Sequence, residues 1–164
     1  MPAIQPLKYQ IAPDASVEYR LSVLNILAVQ GSHAGLVVNT VVDLARGASA
    51  RQAVSNCLSF CQGLPVVYDP PGVDIYKDAV TTIAQGGDCA DKSALLAAML
   101  LVLREHFGYP FAVNIVWETH PNDAQDHVLV ALSVSGAPAL PLEPLKPGAQ
   151  SRGAGGQRIA GLPL

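Results

Sequence analysis

The chain has 164 residues, a net charge of -3, 50% apolar residues and only 14% charged ones. That length predicts one domain able to bury about two-thirds of its unfolded surface without a disulfide or metal staple, and the composition argues against intrinsic disorder. No Lys/Arg cluster offers a nucleic-acid footprint, no apolar run reaches the ~18 residues of a membrane helix, and Met1 to Ala12 lack the charged start and apolar core of a signal peptide.

Three cysteines, an odd and sparse set, make a poor disulfide framework and point to a reducing compartment. The mean hydropathy of +0.30 is high for a lone domain. It fits either an Ala/Val/Leu-rich core or an apolar surface that docks on a partner.

In chain order, residues 1–15 carry three prolines and read as an extended arm. From Ser16 to Gly47 the apolar spacing is helical. Leu21, Leu24, Leu27 and Val29 mark one helix; Leu36, Val37, Val41 and Leu44 mark the next, with Gly31-Ser32 between them. Ser49 starts a third helix, with Ala53, Val54, Cys57, Leu58 and Cys61 on one face and Gly63 and Pro65 at its end. Val66-Val67-Tyr68 is β-prone, and Asp69-Pro70-Pro71-Gly72 is a turn. Asp74 to Gln85 reads as a short helix that runs into Gly86-Gly87.

The strongest helical pattern follows, with Ala94, Leu95, Ala98, Met99, Val102 and Leu103 on one face and Leu96 and Leu100 widening it. It stops near Gly108-Tyr109-Pro110. Strands are predicted over Phe111–Glu118, Asp126–Ser135 and Ala139–Glu143, with Gly136-Ala137-Pro138 turning between the last two. Residues 146–164, rich in Gly, Pro, Ala and Gln, read as a flexible or partner-bound tail. The expected fold is α+β: one domain over residues 16–145, helices first, with a central helix starting at Cys89 packed on a small antiparallel sheet.

The chemistry concentrates at Gly86-Gly87-Asp88-Cys89-Ala90-Asp91-Lys92-Ser93. Asp88 is a good N-cap, and Asp91 three residues on completes a capping-box-like pair. Cys89 then sits in the first turn of the longest helix. There the helix dipole favours a thiolate, and free backbone N–H groups can hold an oxyanion. A nucleophilic Cys needs a base and an orienting group. His127, opening the second strand, is the candidate base, with His120 in the preceding loop as its competitor. Glu143 ends the next strand, and hairpin geometry makes it a neighbour of His127.

Other residues read as structural. Cys57 and Cys61 lack two further ligands for a metal and read as core. Asp91 reads as a cap, and Lys92 as solvated or paired with an acid. Trp117 reads as core or as a wall of the Cys89 site. No phosphate loop, metal site or cofactor is expected.

Tyr68-Asp69-Pro70, Gly87-Asp88-Cys89-Ala90-Asp91-Lys92-Ser93-Ala94-Leu95-Leu96 and His127-Val128-Leu129-Val130 together resemble the transglutaminase-like (papain-related) superfamily. The likeness is closest to its small bacteriophage and prophage members, and it spans about Ser49 to Pro144. It implies a Cys–His–acid triad of Cys89, His127 and Glu143 acting on a peptide or amide bond through a thioester, hydrolysis being favoured over cross-linking. Glu143 stands where the family more often has Asp. Asp88, Tyr68 and Trp117 are the support candidates, Tyr68 for the aromatic that assists the oxyanion hole in some members. The implied partner is a peptide or protein substrate, without nucleic acid or membrane. The alternative is a phage structural or assembly protein, head–tail or tail-associated, that uses the fold to bind other phage proteins. The expected location is the virion or the bacterial host cytoplasm.

Overall fold

The computed structural model describes residues 7–119, 126–145, 157–160 and 163–164. The fold is α+β. Among the described residues its elements are β1 (Lys8–Ile11), α1 (Val17–Ser32), α2 (Gly35–Ala45), α3 (Ala50–Gly63), β2 (Asp74–Lys77), α4 (Ala79–Gln85), α5 (Cys89–Phe107), β3 (Phe111–Thr119), β4 (His127–Val134), β5 (Leu140–Leu142) and β6 (Gln157–Ala160).

Helix α5 is the hub. Every residue from Ala90 to Leu103 is buried, so its apolar stripe has become an apolar cylinder. Helices α1 to α4 pack around it, and β3 and β4 close the remaining side. The four-stranded antiparallel sheet runs β5-β4-β3-β6. Its β3–β4 register pairs Phe111 with Val134 and continues to Glu118 opposite His127. No single helix among the described residues is long and apolar enough to cross a membrane.

Local chemistry explains the boundaries. Ser16 and Ser49 cap α1 and α3 by accepting from Tyr19 N–H and Gln52 N–H. Three segments depart from the sequence expectation. The arm is a paired strand: Lys8–Ile11 run antiparallel to Asp74–Lys77. The helix expected over Asp74–Gln85 splits for the same reason. Its first four residues pair with the arm, and Asp78 starts α4 by accepting from Thr81 N–H (2.8 Å). In the tail, Gln157–Ala160 are an edge strand on β3 rather than flexible chain, pairing Val116 with Ala160 through Thr119 with Gln157. An exposed ladder edge on β3 offers backbone partners that composition alone does not reveal. Residues 146–156 lie outside the described residues.

Candidate active site

The start of α5 is fixed by a reciprocal cap. The Asp88 carboxylate accepts from Ala90 N–H (2.9 Å) and Asp91 N–H (3.2 Å), and Asp91 accepts from Asp88 N–H (3.3 Å). Gly87 makes this turn possible, because a Cβ there would stand 2.4 Å from Asp91 Cβ. Asp91 does more than cap. It also accepts from Lys77 N–H (2.8 Å) and from the Lys77 ammonium (2.9 Å), a pair almost wholly out of water. This ties β2 to the first turn of α5. Lys92 is fully buried rather than solvated, and its ammonium donates to the Leu64 carbonyl at the end of α3 (2.6 Å).

Cys89, at the first helical position, opens into a cleft of about 560 Å³. The cleft brings together four of the residues singled out by sequence: Tyr68, Asp88, Cys89 and Trp117. Tyr68 is exposed on the rim, and Trp117 is buried, its indole N–H donating to Asp126 (2.7 Å). Trp117 is therefore both core and wall. Arg20 reaches in from α1, bonded to Asp74 and lying over the Trp117 ring at 5.8 Å.

The sulfur meets strand β4. β5 pairs only with Val130 to Leu132, and at Val128 the strand backbone turns to α5 instead. Ser93 Oγ donates to the Val128 carbonyl (3.1 Å). The backbone N–H groups of Val128 and Ala90 lie near enough to the Cys89 sulfur to favour its anion, although that of Ala90 is already given to Asp88. They do not make the thiol acidic. Burial first, and the Asp88 and Asp91 carboxylates next, push it up to about 12. Asp88 is itself raised to about 7 by burial and by the charge of Asp91, with Asp69 adding to it. Burial raises Asp91 too, while the Lys77 groups pull it back.

His127 and Glu143 do come together as hairpin geometry predicts: His127 Nε2 donates to Glu143 Oε2. Glu143 is held in turn, its other oxygen accepting from Leu145 N–H (3.0 Å) and its carbonyl from the Gln62 amide (2.9 Å). When the imidazole is neutral, donation from Nε2 leaves Nδ1 as its basic nitrogen. The pleat separates this pair from the thiol. Trp117 and Val128 are cross-strand partners and line the cleft, so their neighbours Glu118 and His127, also partners, fall on the other face. The thiol thus touches the strand one residue beyond the histidine.

His120 lies outside the described residues. Cys57 and Cys61 are fully buried, with Cys61 3.7 Å from Met99 Sδ; burial raises both thiols, Cys57 to about 12. No cluster of metal-ligating side chains occurs among the described residues. Sequence reasoning missed Arg20, Tyr76 and Lys77. For Tyr76 and Lys77, the pleat that sends Tyr76 to the cleft and Lys77 to Asp91 was hidden by reading Asp74–Gln85 as one helix. No protein-family model matches the chain, and neither does a curated protein or a solved structure.

Proposed function

We propose that the chain is a transglutaminase-like cysteine hydrolase or acyl-transferase that acts on a peptide or amide bond through a thioester on Cys89. The observation that carries this reading is the placement of Cys89. It lies at the first position of the longest helix, inside a cleft and against the backbone of Val128, the residue after His127, which Glu143 holds on the opposite face of the strand. In the proposed step the sulfur attacks the carbonyl carbon, His127 takes the thiol proton and returns it to the leaving amine, and Glu143 holds the imidazole tautomer. Because the resting thiol is protonated, the proton leaves during attack rather than before it. The step requires the imidazole to reach the sulfur from its neighbouring strand position.

The test is acylation by p-nitrophenyl acetate, mapped to Cys89 by mass spectrometry with Cys57 and Cys61 as internal controls. Cys89→Ala should lose the acetylated peptide. His127→Ala should slow acylation about a hundredfold, the size of a general-base contribution. Wild-type rates in His127→Ala would sink the triad.

A second reading has its own support. The thiol is held protonated, and α1 and α2 expose Tyr19, Ile26, Val29, Leu36 and Val42. On this reading the chain is a phage virion structural or assembly protein that uses the fold as an interaction module. Stoichiometric copies in purified particles together with an inert Cys89 would favour it; absence from particles would count against it.

A further inference from the structure

Arg20 is the one Lys or Arg among the described residues that line the cleft, and its side chain is only 13% exposed. A guanidinium carries its N–H donors in a rigid plane. Here they go to the protein itself. Nε donates to the Ala15 carbonyl (3.1 Å), Nη2 to the Ala12 and Pro13 carbonyls (3.3 and 3.4 Å), and Nη1 to Asp74. The guanidinium carbon lies over the Trp117 ring, 5.8 Å from its centre, and the group stands beside the Tyr76 phenol. One side chain thus fastens the turn after β1, strand β2 and strand β3 to α1. Of the residues it grips, Pro13, Ala15, Asp74, Tyr76 and Trp117 all line the cleft that holds Cys89. Burying a guanidinium costs free energy, and packing alone is met on the same helix by Leu21, Leu24 and Leu27. An apolar side chain cannot set a fixed spacing between three walls. A planar fork can.

We infer that Arg20 is a positioning residue for acyl transfer: it fixes the walls on which the chain carrying the acyl group lies while Cys89 attacks the carbonyl carbon. The inference rests on the acyl-transfer reading above. Attack needs the carbonyl carbon within about 3–3.5 Å of the sulfur, and a misplacement of about 1 Å costs on the order of a hundredfold. A short acyl group touches only the surroundings of the sulfur. A peptide-sized one extends along the cleft and depends on its walls. The contribution of Arg20 therefore grows with the length of the acyl chain. Lysine does not replace it, because an ammonium is a point charge without the fork that spans several acceptors.

The experiment compares Arg20→Lys and Arg20→Ala with the wild-type chain in acylation by two esters, each mapped to Cys89 by mass. One is p-nitrophenyl acetate. The other is the p-nitrophenyl ester of acetyl-alanyl-alanine, a peptide-sized acyl group. In both, the sulfur bonds to the carbonyl carbon, the thiol proton passes to His127 and p-nitrophenolate leaves. With the longer ester the half-saturating concentration should rise about tenfold in both variants, the limiting rate falling less. With the acetate the rate should fall only about threefold, since that group has no chain to lie on the walls. Millimolar methylguanidinium should restore the half-saturating concentration in Arg20→Ala and leave the wild-type chain as it is. The buried Cys57 and Cys61 report the fold: should iodoacetamide reach them in Arg20→Ala, that variant has opened its core, and Arg20→Lys, which keeps a cation beside Asp74, decides. Equal loss with both esters makes Arg20 a residue of the fold alone and overturns the inference. Wild-type behaviour in Arg20→Lys shows that charge suffices and overturns it too. Both results leave the triad standing. No acylation of wild-type Cys89 by either ester overturns the acyl-transfer reading and the role of Arg20 together.

Discussion

At its first turn α5 meets carboxylates, an ammonium and a thiol; at its last turn it meets rings and a glycine. The N-terminal end holds Asp88, Asp91 and Lys77 in a closed set of hydrogen bonds around Cys89. The C-terminal end stops at Gly108, which takes the left-handed conformation (φ 69°) and donates to the Arg104 carbonyl (3.0 Å). There Phe107 stacks on Tyr109 at 5.8 Å, and Tyr109 tilts against Phe111 at 6.3 Å. One helix is thus terminated by two kinds of physics. Packing and backbone conformation dominate at the far end, where the half-buried Arg104 guanidinium donates to the Leu164 carbonyl (2.6 Å) and meets no buried carboxylate among the described residues. Buried charge, the costlier device, is confined to the end with the thiol, which is where a chemical use would justify it.

The largest effect should come from breaking the buried charge. Lys77→Met leaves the Asp91 carboxylate in the interior without its ammonium, and should cost about 3–5 kcal/mol in urea unfolding. The backbone N–H of Lys77 still donates to Asp91, so the loss is that of the ion pair alone. Adding Asp91→Asn to Lys77→Met should recover much of the stability, because the orphaned charge is gone. If the single variant unfolds like the wild-type chain, charge is not what fixes this end.

A smaller effect is expected at the other end. Gly108→Ala must place a Cβ at φ 69° with nothing within 4 Å of it, so the cost is conformational alone, about 1–2 kcal/mol. Cys89 alkylation should not change, since the two ends share no polar contact. A change there would mean that the ends are coupled through the helix.

Much of this contrast was legible in the sequence, and the reasons differ by element. The helix from Cys89 to Phe107 announces itself, because the cap residues, the apolar period and the terminal glycine all agree. The His127–Glu143 pair was legible because a hairpin fixes which strand ends meet. β1, β2 and β6 were not legible. Each has only four residues, and each exists because a partner edge is available, a tertiary fact that short local patterns do not carry. The burial of Lys92 escaped for a similar reason: its acceptor is a carbonyl at the end of another helix. The one-residue offset between Cys89 and His127 depends on how the pleat meets the helix, and sequence order alone is blind to it.

The smallest change in structure, with an effect that depends on pH, is Asp88→Asn. Asn is as good an N-cap as Asp, so α5 should keep its start. What disappears is a carboxyl raised to about 7 by burial and by Asp91, well above its ordinary value near 3.8. Between those two values the folded wild-type chain binds more protons at Asp88 than the unfolded chain does. Stability from this group is therefore fully present below about pH 4, and is lost as pH rises toward and through 7. Urea midpoints of the two proteins should diverge across that window, with the variant gaining on the wild-type chain as pH rises. The same substitution removes one of the charges that hold the Cys89 thiol up near 12. Alkylation by iodoacetamide should then be several-fold faster in the variant at pH 8 to 9. Below pH 6, where wild-type Asp88 is already protonated, the two rates should converge. A constant ratio across the whole range would show that Asp88 acts on Cys89 through shape rather than charge, and the N-terminal end of α5 would then differ from the C-terminal end only in packing.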